Sequence, residues 1–174
     1  MPMPEYAAAL GEVFEKAGKP EQAQRQYQLV EYIGKLNALN RALYNRELAY
    51  FYADRGIKAK EGLELAEHEL NYRRDVYSYD VLAWNLFRND RFYEARDAIE
   101  KALRLGTKDA KLFYHAGMIY RRLGDAAKAK EFLQRALATN PHFHVLFAEQ
   151  ALNTLKEIDA GQARLASTQS DEGR

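Results

Sequence analysis

The sequence predicts an all-α fold of antiparallel helix pairs stacked in series, and three observations carry that prediction. First, small and apolar residues recur at a constant offset. Ala95 and Ala129 stand 34 apart, as do Ala102 and Ala136, Leu103 and Leu137, Leu86 and Tyr120, and Ala83 and Gly117. One unit earlier, Ala49 precedes Ala83 and Tyr52 precedes Leu86 by the same 34. A fixed period of this size marks a repeat architecture in which each unit buries its apolar face against its neighbours. Second, breakers fall in register with the period. Gly124 stands where a positive φ is cheap, and Asn140-Pro141 interrupts the chain before another helix. Third, Phe143, Val145, Leu146, Ala148, Ala151, Leu152 and Leu155 have the apolar spacing of a final amphipathic helix. Such a helix covers the end of the last unit, as repeat arrays require.

The units differ in fidelity. The first reads Leu10-Gly11, Phe14, Gly18, Ala23, Tyr27. Gly18 to Gly56 is 38, four more than the period, which predicts one extra helical turn near Lys35–Asn40. No Pro separates the first two units there, so a long, nearly continuous helix is allowed. The second unit reads Leu48-Ala49, Tyr52, Gly56, Gly62, Ala66, Leu70, and its turn is one residue longer than that of the last. The third reads Tyr79, Leu82-Ala83, Leu86, Ala95, Ile99, Ala102, with Asn89-Asp90 as its turn and Gly106-Thr107 where a Pro would stand. The fourth is the clearest: Phe113-x2-Ala116-Gly117-x2-Tyr120, then Ala129-x3-Leu133, Ala136 and Pro141. The expected organisation is an array over residues 1–158, with repeats at about 4–40, 41–75, 76–109 and 110–143 and a capping helix at about 143–158. Residues 159–174 turn polar and small, and read as a disordered tail.

The fourth unit resembles the tetratricopeptide repeat (TPR): a large residue, a small pair, an aromatic, then Ala, a bulky apolar residue, Ala and Pro. The stretch Arg104-Leu105-Gly106-Thr107-Lys108-Asp109, with Tyr114-His115-Ala116-Gly117-Met118 after it, is similar to the C-terminal repeats of bacterial TPR proteins. The resemblance implies a TPR-type α-solenoid whose first helices, helices A, line a concave groove. It also implies which positions face that groove. On the third repeat they are Tyr77, Asp80, Trp84, Phe87 and Arg88, and on the fourth Lys111, Tyr114, Met118, Arg121 and Arg122. On the second they are Leu43, Arg46, Tyr50, Ala53 and Asp54, and on the first Glu5, Ala8, Glu12, Glu15 and Lys16. Two readings of Trp84 and Phe87 stand at this point: groove lining, or packing between adjacent helices A. Arg121-Arg122 is equally readable as a solvated helix end favoured by the dipole. The dicarboxylate clamp of chaperone-binding TPR domains is not reproduced. Arg46 and Tyr50 stand where Lys and Asn belong, and Lys111-x3-His115 has His in place of Arg.

No catalytic constellation is visible. The chain of 174 residues has no cysteine, which removes disulfides, thiolate metal sites and cysteine nucleophiles. It contains neither G-x-x-x-x-G-K-[ST] nor G-x-G-x-x-G. His68-Glu69 begins like a zinc-protease motif without the second His. The serines Ser78, Ser167 and Ser170 lie outside any nucleophile elbow. His142 and His144 bracket Phe143 with no third ligand nearby in sequence, and His115 reads as a packed helix residue. No enzyme activity, cofactor or metal is therefore expected. Net charge is +1, so neither nucleic acid nor an anionic membrane is favoured. No apolar run approaches the ~18 residues of a membrane span. Met1-Pro2-Met3-Pro4-Glu5 lacks the basic and apolar regions of a signal peptide, and the compartment stays open.

The function expected is a non-catalytic protein- or peptide-binding scaffold working through the helix-A groove, mainly on repeats 3 and 4. Their aromatic and cationic side chains have the composition of binding hot spots and suit an acidic peptide or one bearing a C-terminal carboxylate. The alternative is self-assembly by end-to-end stacking of repeats into a homo-oligomer.

Overall fold

The computed structural model describes residues 3–39 and 46–172, and every regular element among them is an α-helix. The chain divides into two compact units, Met1–Lys108 and Asp109–Arg174. The first holds α1 (Pro4–Lys16), α2 (Pro20–Leu39), α3 (Arg46–Arg55), α4 (Ala59–Glu69), α5 (Val76–Arg88) and α6 (Phe92–Leu103). The second holds α7 (Ala110–Arg122), α8 (Ala126–Thr139) and α9 (Phe147–Glu172). In the first unit α1 packs on α2, α3 on α4 and α5 on α6, and α1, α3 and α5 follow one another as a layer of helices A. In the second, α7 packs on α8 and α8 on α9.

The period seen in the sequence is a period of turns. Each helix A ends in one left-handed residue: Gly18 (φ 71°), Gly56 (φ 63°), Asp90 (φ 59°) and Gly124 (φ 83°). The next N–H then reaches back five residues: Lys19 to Phe14, Ile57 to Tyr52, Arg91 to Leu86 and Asp125 to Tyr120, at 2.9–3.0 Å. This is the Schellman bond, which satisfies a carbonyl that the helix end leaves open. The longer second turn has a simple cause. Lys58 is also left-handed (φ 47°), so one more residue precedes α4.

Helices A and B cross where side chains are small. A Cβ on Gly117 would lie 2.7 Å from Leu133 Cγ and 3.2 Å from the Leu133 backbone nitrogen, so no larger residue fits. The in-register residues Ala49, Ala83, Ala95, Ala102, Ala129 and Ala136 are fully buried. The start of α5 is capped by Asp75, which accepts from Ser78 N–H at 2.8 Å; Asp109 and Asp125 cap α7 and α8 in the same way, each at 3.0 Å.

Burial pushes the Asp75 carboxyl upward, but hydrogen bonds from Ser78 and the charge of Arg46 outweigh it, and the net pKa falls below the ordinary 3.8. A carboxyl with a depressed folded pKa stabilises above its unfolded value and loses that contribution as pH falls through the folded one. Asp75→Ala is therefore expected to cost about 1 kcal/mol at neutral pH and less below pH ~3. Urea unfolding of both proteins at the two pH values checks this, and an equal loss at both would discard the charge component.

α2 has 20 residues against 11, 12 and 14 for α4, α6 and α8, which contains the extra turn. Whether it continues into α3 falls on residues 40–45, outside the described residues. α9 runs on from residue 159 to Glu172, through the stretch whose composition reads as a tail. Gln-Ala-Arg-Leu-Ala at 162–166 is a run of strong helix formers. Ile158 is buried just before the stretch, and Asp159 Oδ1 takes a 2.6 Å bond from Lys130 Nζ of α8.

Candidate binding faces

The faces follow from which side each helix A turns to its neighbours. On α3 and α5 the groove positions meet one another. The Tyr50 hydroxyl donates to Asp80 Oδ2 at 2.8 Å and lies 3.2 Å from the Tyr77 carbonyl oxygen. Burial, with Asp80 beside it, pushes this phenol well above its ordinary pKa, so it remains a donor. Trp84 Nε1 donates to Asp54 Oδ1 at 2.9 Å. Arg88 Nε donates to the Ala53 carbonyl at 2.5 Å, and Nη2 reaches the Asp54 carbonyl at 3.4 Å. Those carbonyls belong to the last turn of α3, so Arg88 closes that helix end and complements its dipole.

Aromatic packing completes the row. Trp84 and Phe87 stack with centroids 4.8 Å apart, and the Arg88 guanidinium lies over Trp84 at 4.6 Å. Trp84 is 1% exposed and Asp80 3%, so both belong to the layer between helices. Phe87 and Arg88 remain half-buried, and Tyr77 is 42% exposed with Arg46 over its ring at 5.9 Å. Arg46 also faces Glu69, Asp75 and Glu47, each at 3.6 Å. Leu43 lies outside the described residues.

On the first repeat the carboxylates of Glu12 and Glu15 are drawn into the fold. Glu12 is buried. Glu15 Oε2 accepts from the Tyr27 hydroxyl at 2.7 Å and from Arg55 Nη1 at 2.6 Å. The Tyr27 bond, reinforced by Arg55, holds the Glu15 carboxyl below its usual pKa. Arg55 also lies over the Tyr27 ring at 4.4 Å, so this cluster ties α1, α2 and α3 together. The sequence reading passed over Arg55, because its partners stand 28 and 40 positions away.

In the second unit three of the five groove positions on α7 meet α9. Tyr114 is fully buried, stacked on Phe147 at 4.8 Å, and donates to Gln150 Oε1 at 2.7 Å. Met118 Sδ lies 3.9 Å from Thr154 Oγ1, and Arg121 Nη2 lies 3.8 Å from Glu157 Oε2. These pairs are each 36 apart in sequence, so one line of α7 is matched to one line of α9. Arg122 is exposed and Lys111 half-buried. His144 serves the start of α9: its Nδ1 accepts from Leu146 and Phe147 N–H at 3.3 and 3.5 Å, and its ring stacks on Phe147. No group of three or more His, Asp or Glu side chains fit to hold a metal occurs among the described residues. No described helix is long and apolar enough to cross a membrane.

Residues 110–143 match the tetratricopeptide-repeat family model. The crystal structure of TTC0263, a thermophilic TPR protein in Thermus thermophilus, superposes on the chain with a TM-score of 0.61 at 20% identity, covering 94% of this chain and 85% of that one. Residues 110–143 are thus a tetratricopeptide repeat. The fold of the chain is all-α and of the TPR type, and the four Schellman turns and small-residue crossings are how this sequence builds it. A structure of MamA protein is also similar, with a TM-score of 0.49 at 20% identity over 98% of this chain and 93% of that one. No curated protein matches the sequence at a significant level. The TPR fold is a protein-interaction scaffold, and TPR proteins bind proteins or peptides.

Proposed function

We propose that this TPR chain is a non-catalytic scaffold that binds a peptide along the helix-A face of α5, beside α3. The observation that carries the proposal is the Trp84–Phe87–Arg88 stack. A buried Trp fixes an aromatic ring and a guanidinium that both stay half-exposed, and α3 carbonyls hold that guanidinium in place. A preordered Arg beside aromatic rings loses little rotamer freedom on binding, and Arg with aromatic residues dominates interface hot spots. Tyr77 offers a second exposed aromatic at the other end of α5. Ten helical residues separate it from Phe87, or about 15 Å at 1.5 Å each. An extended peptide of about five residues spans that length at ~3.3 Å each. The cation favours a peptide with acidic side chains or a terminal carboxylate. The α7 positions are mostly engaged with α9, so the proposal places the peptide on the first unit.

The test is a fluorescence-anisotropy titration with labelled acidic peptides that end in a free carboxylate. Tyr77→Ala and Arg88→Gln are each expected to weaken binding about tenfold, the scale of a hot-spot residue. Far-UV circular dichroism confirms that both variants keep their helicity. Equal affinity in wild type and in both variants sinks this reading of α5.

A further inference from the structure

Along α1 and its N-cap residue Met3, four apolar side chains stand in the open: Met3 is 52% exposed, Tyr6 69%, Leu10 43% and Val13 48%. Their spacing of three, four and three places them on a single stripe of the helix. The opposite side of α1 is already in use. Ala7 and Gly11 are buried, and the Tyr27 ring of α2 closes against Gly11 so tightly that a Cβ there would collide with it. The stripe is thus distinct from the face that holds the repeat together.

We infer that this stripe binds the same stripe of a second copy, with the two α1 helices antiparallel about a two-fold axis. The sequence spacing carries the choice of occupant. Met3 with Val13, and Tyr6 with Leu10, are both centred on position 8, so the stripe reads the same in either direction. An antiparallel copy sets Met3 against the second copy's Val13 and Tyr6 against its Leu10, apolar on apolar throughout. Ala9, exposed and small, stands beside the crossing and lets the backbones approach. Charge agrees with the direction: Glu5 lies in the first turn of α1 and Lys16 in the last, so antiparallel pairing puts opposite charges at each end. Parallel pairing would set like on like. The helix dipoles also oppose one another in the antiparallel arrangement.

The four side chains expose on the order of 400 Å² of apolar surface, in the range of a monomer's largest patch and often functional. Two stripes bury roughly 800 Å², and with their rims reach the lower end of specific interfaces, which fits a reversible dimer. Because the contact is isologous it closes at two copies, unlike end-to-end stacking, which continues.

Sedimentation equilibrium of the full chain, from low to high micromolar concentration, tests this. The weight-average mass is expected to rise from 20.1 kDa toward twice that value and stop there. Leu10→Glu and Tyr6→Glu should each hold it at 20.1 kDa with unchanged circular dichroism, since both sites are open to solvent. Orientation is read by cross-linking, which is clean because the chain has no cysteine. A mixture of Tyr6→Cys and Leu10→Cys should form disulfide dimers several-fold faster than either variant alone. A mass of 20.1 kDa at every concentration overturns the inference. So does a ladder of larger species, or dimerisation that survives both Glu variants. Cross-linking as fast in each variant alone as in the mixture overturns the antiparallel arrangement.

Discussion

Trp84→Ala is expected to destabilise the first unit by about 3–5 kcal/mol, the usual range for emptying a buried aromatic site. The residue is 1% exposed, so its whole ring volume becomes a cavity between α3 and α5. Three further contacts go with it: the stack on Phe87, the Arg88 guanidinium above the ring, and the bond from Nε1 to Asp54. Losing the stack also frees Arg88, which closes the end of α3 through the Ala53 carbonyl. Trp84→Phe separates these effects. It keeps a ring to stack and drops the hydrogen bond, and is expected to cost about 1–2 kcal/mol with some loss of packing. Urea unfolding followed by circular dichroism measures both variants. In the wild type the single Trp adds a local probe, because its emission reports the α3–α5 layer directly. A Trp84→Ala loss below about 1 kcal/mol would mean that the layer repacks without the ring. Until this is measured, failure of a Trp84→Ala variant to capture a ligand reports folding as much as binding.

Trp84 also shows where reading the sequence stops. The period placed Ala49, Ala83 and Gly117 in register, and all three are buried, with Gly117 closed against Leu133. Gly18, Gly56 and Gly124 were readable as turns because left-handed backbone selects glycine. Asp90 serves the same turn without being glycine, and only the Asn89-Asp90 pair suggested it. Such features are local or repeat at 34, so one sequence carries them. Which face of a helix A is open is a different matter. Asp80 and Trp84 lie between neighbouring helices A here, because they find Tyr50 and Asp54 30 residues earlier. No periodicity announces such partners. The stripe Met3, Tyr6, Leu10, Val13 is exposed, and its spacing is the same as that of a stripe turned to the core. The Arg55–Glu15–Tyr27 cluster had no signal, since its members stand in three different helices.

Arg46→Met is expected to cost about 3 kcal/mol, at the low end of the range for breaking a buried ion pair because Arg46 keeps some contact with water. Glu69 is fully buried at the end of α4, a place where a carboxylate is tolerated only with a counter-charge and hydrogen bonds. Arg46 Nη1 stands 3.6 Å from its Oε1, and the Ser78 hydroxyl 3.5 Å from the same oxygen. Arg46 reaches Asp75 at 3.6 Å as well, so one guanidinium serves both the buried carboxylate and the cap of α5. Removing it strands Glu69 and weakens the Asp75 cap together, although the Met side chain keeps most of the apolar volume. The double variant Arg46→Met with Glu69→Gln should recover most of the loss. A neutral amide needs no counter-charge and can still pair with Ser78. The double-mutant cycle is therefore expected to show a coupling of about 1–3 kcal/mol, measured by urea unfolding. Additive losses would assign the cost of Arg46→Met to the cap and to packing. A recovered double variant would show instead that the burial of Glu69 creates the need for Arg46, and that Arg46 holds α3 to the α4–α5 junction by meeting it.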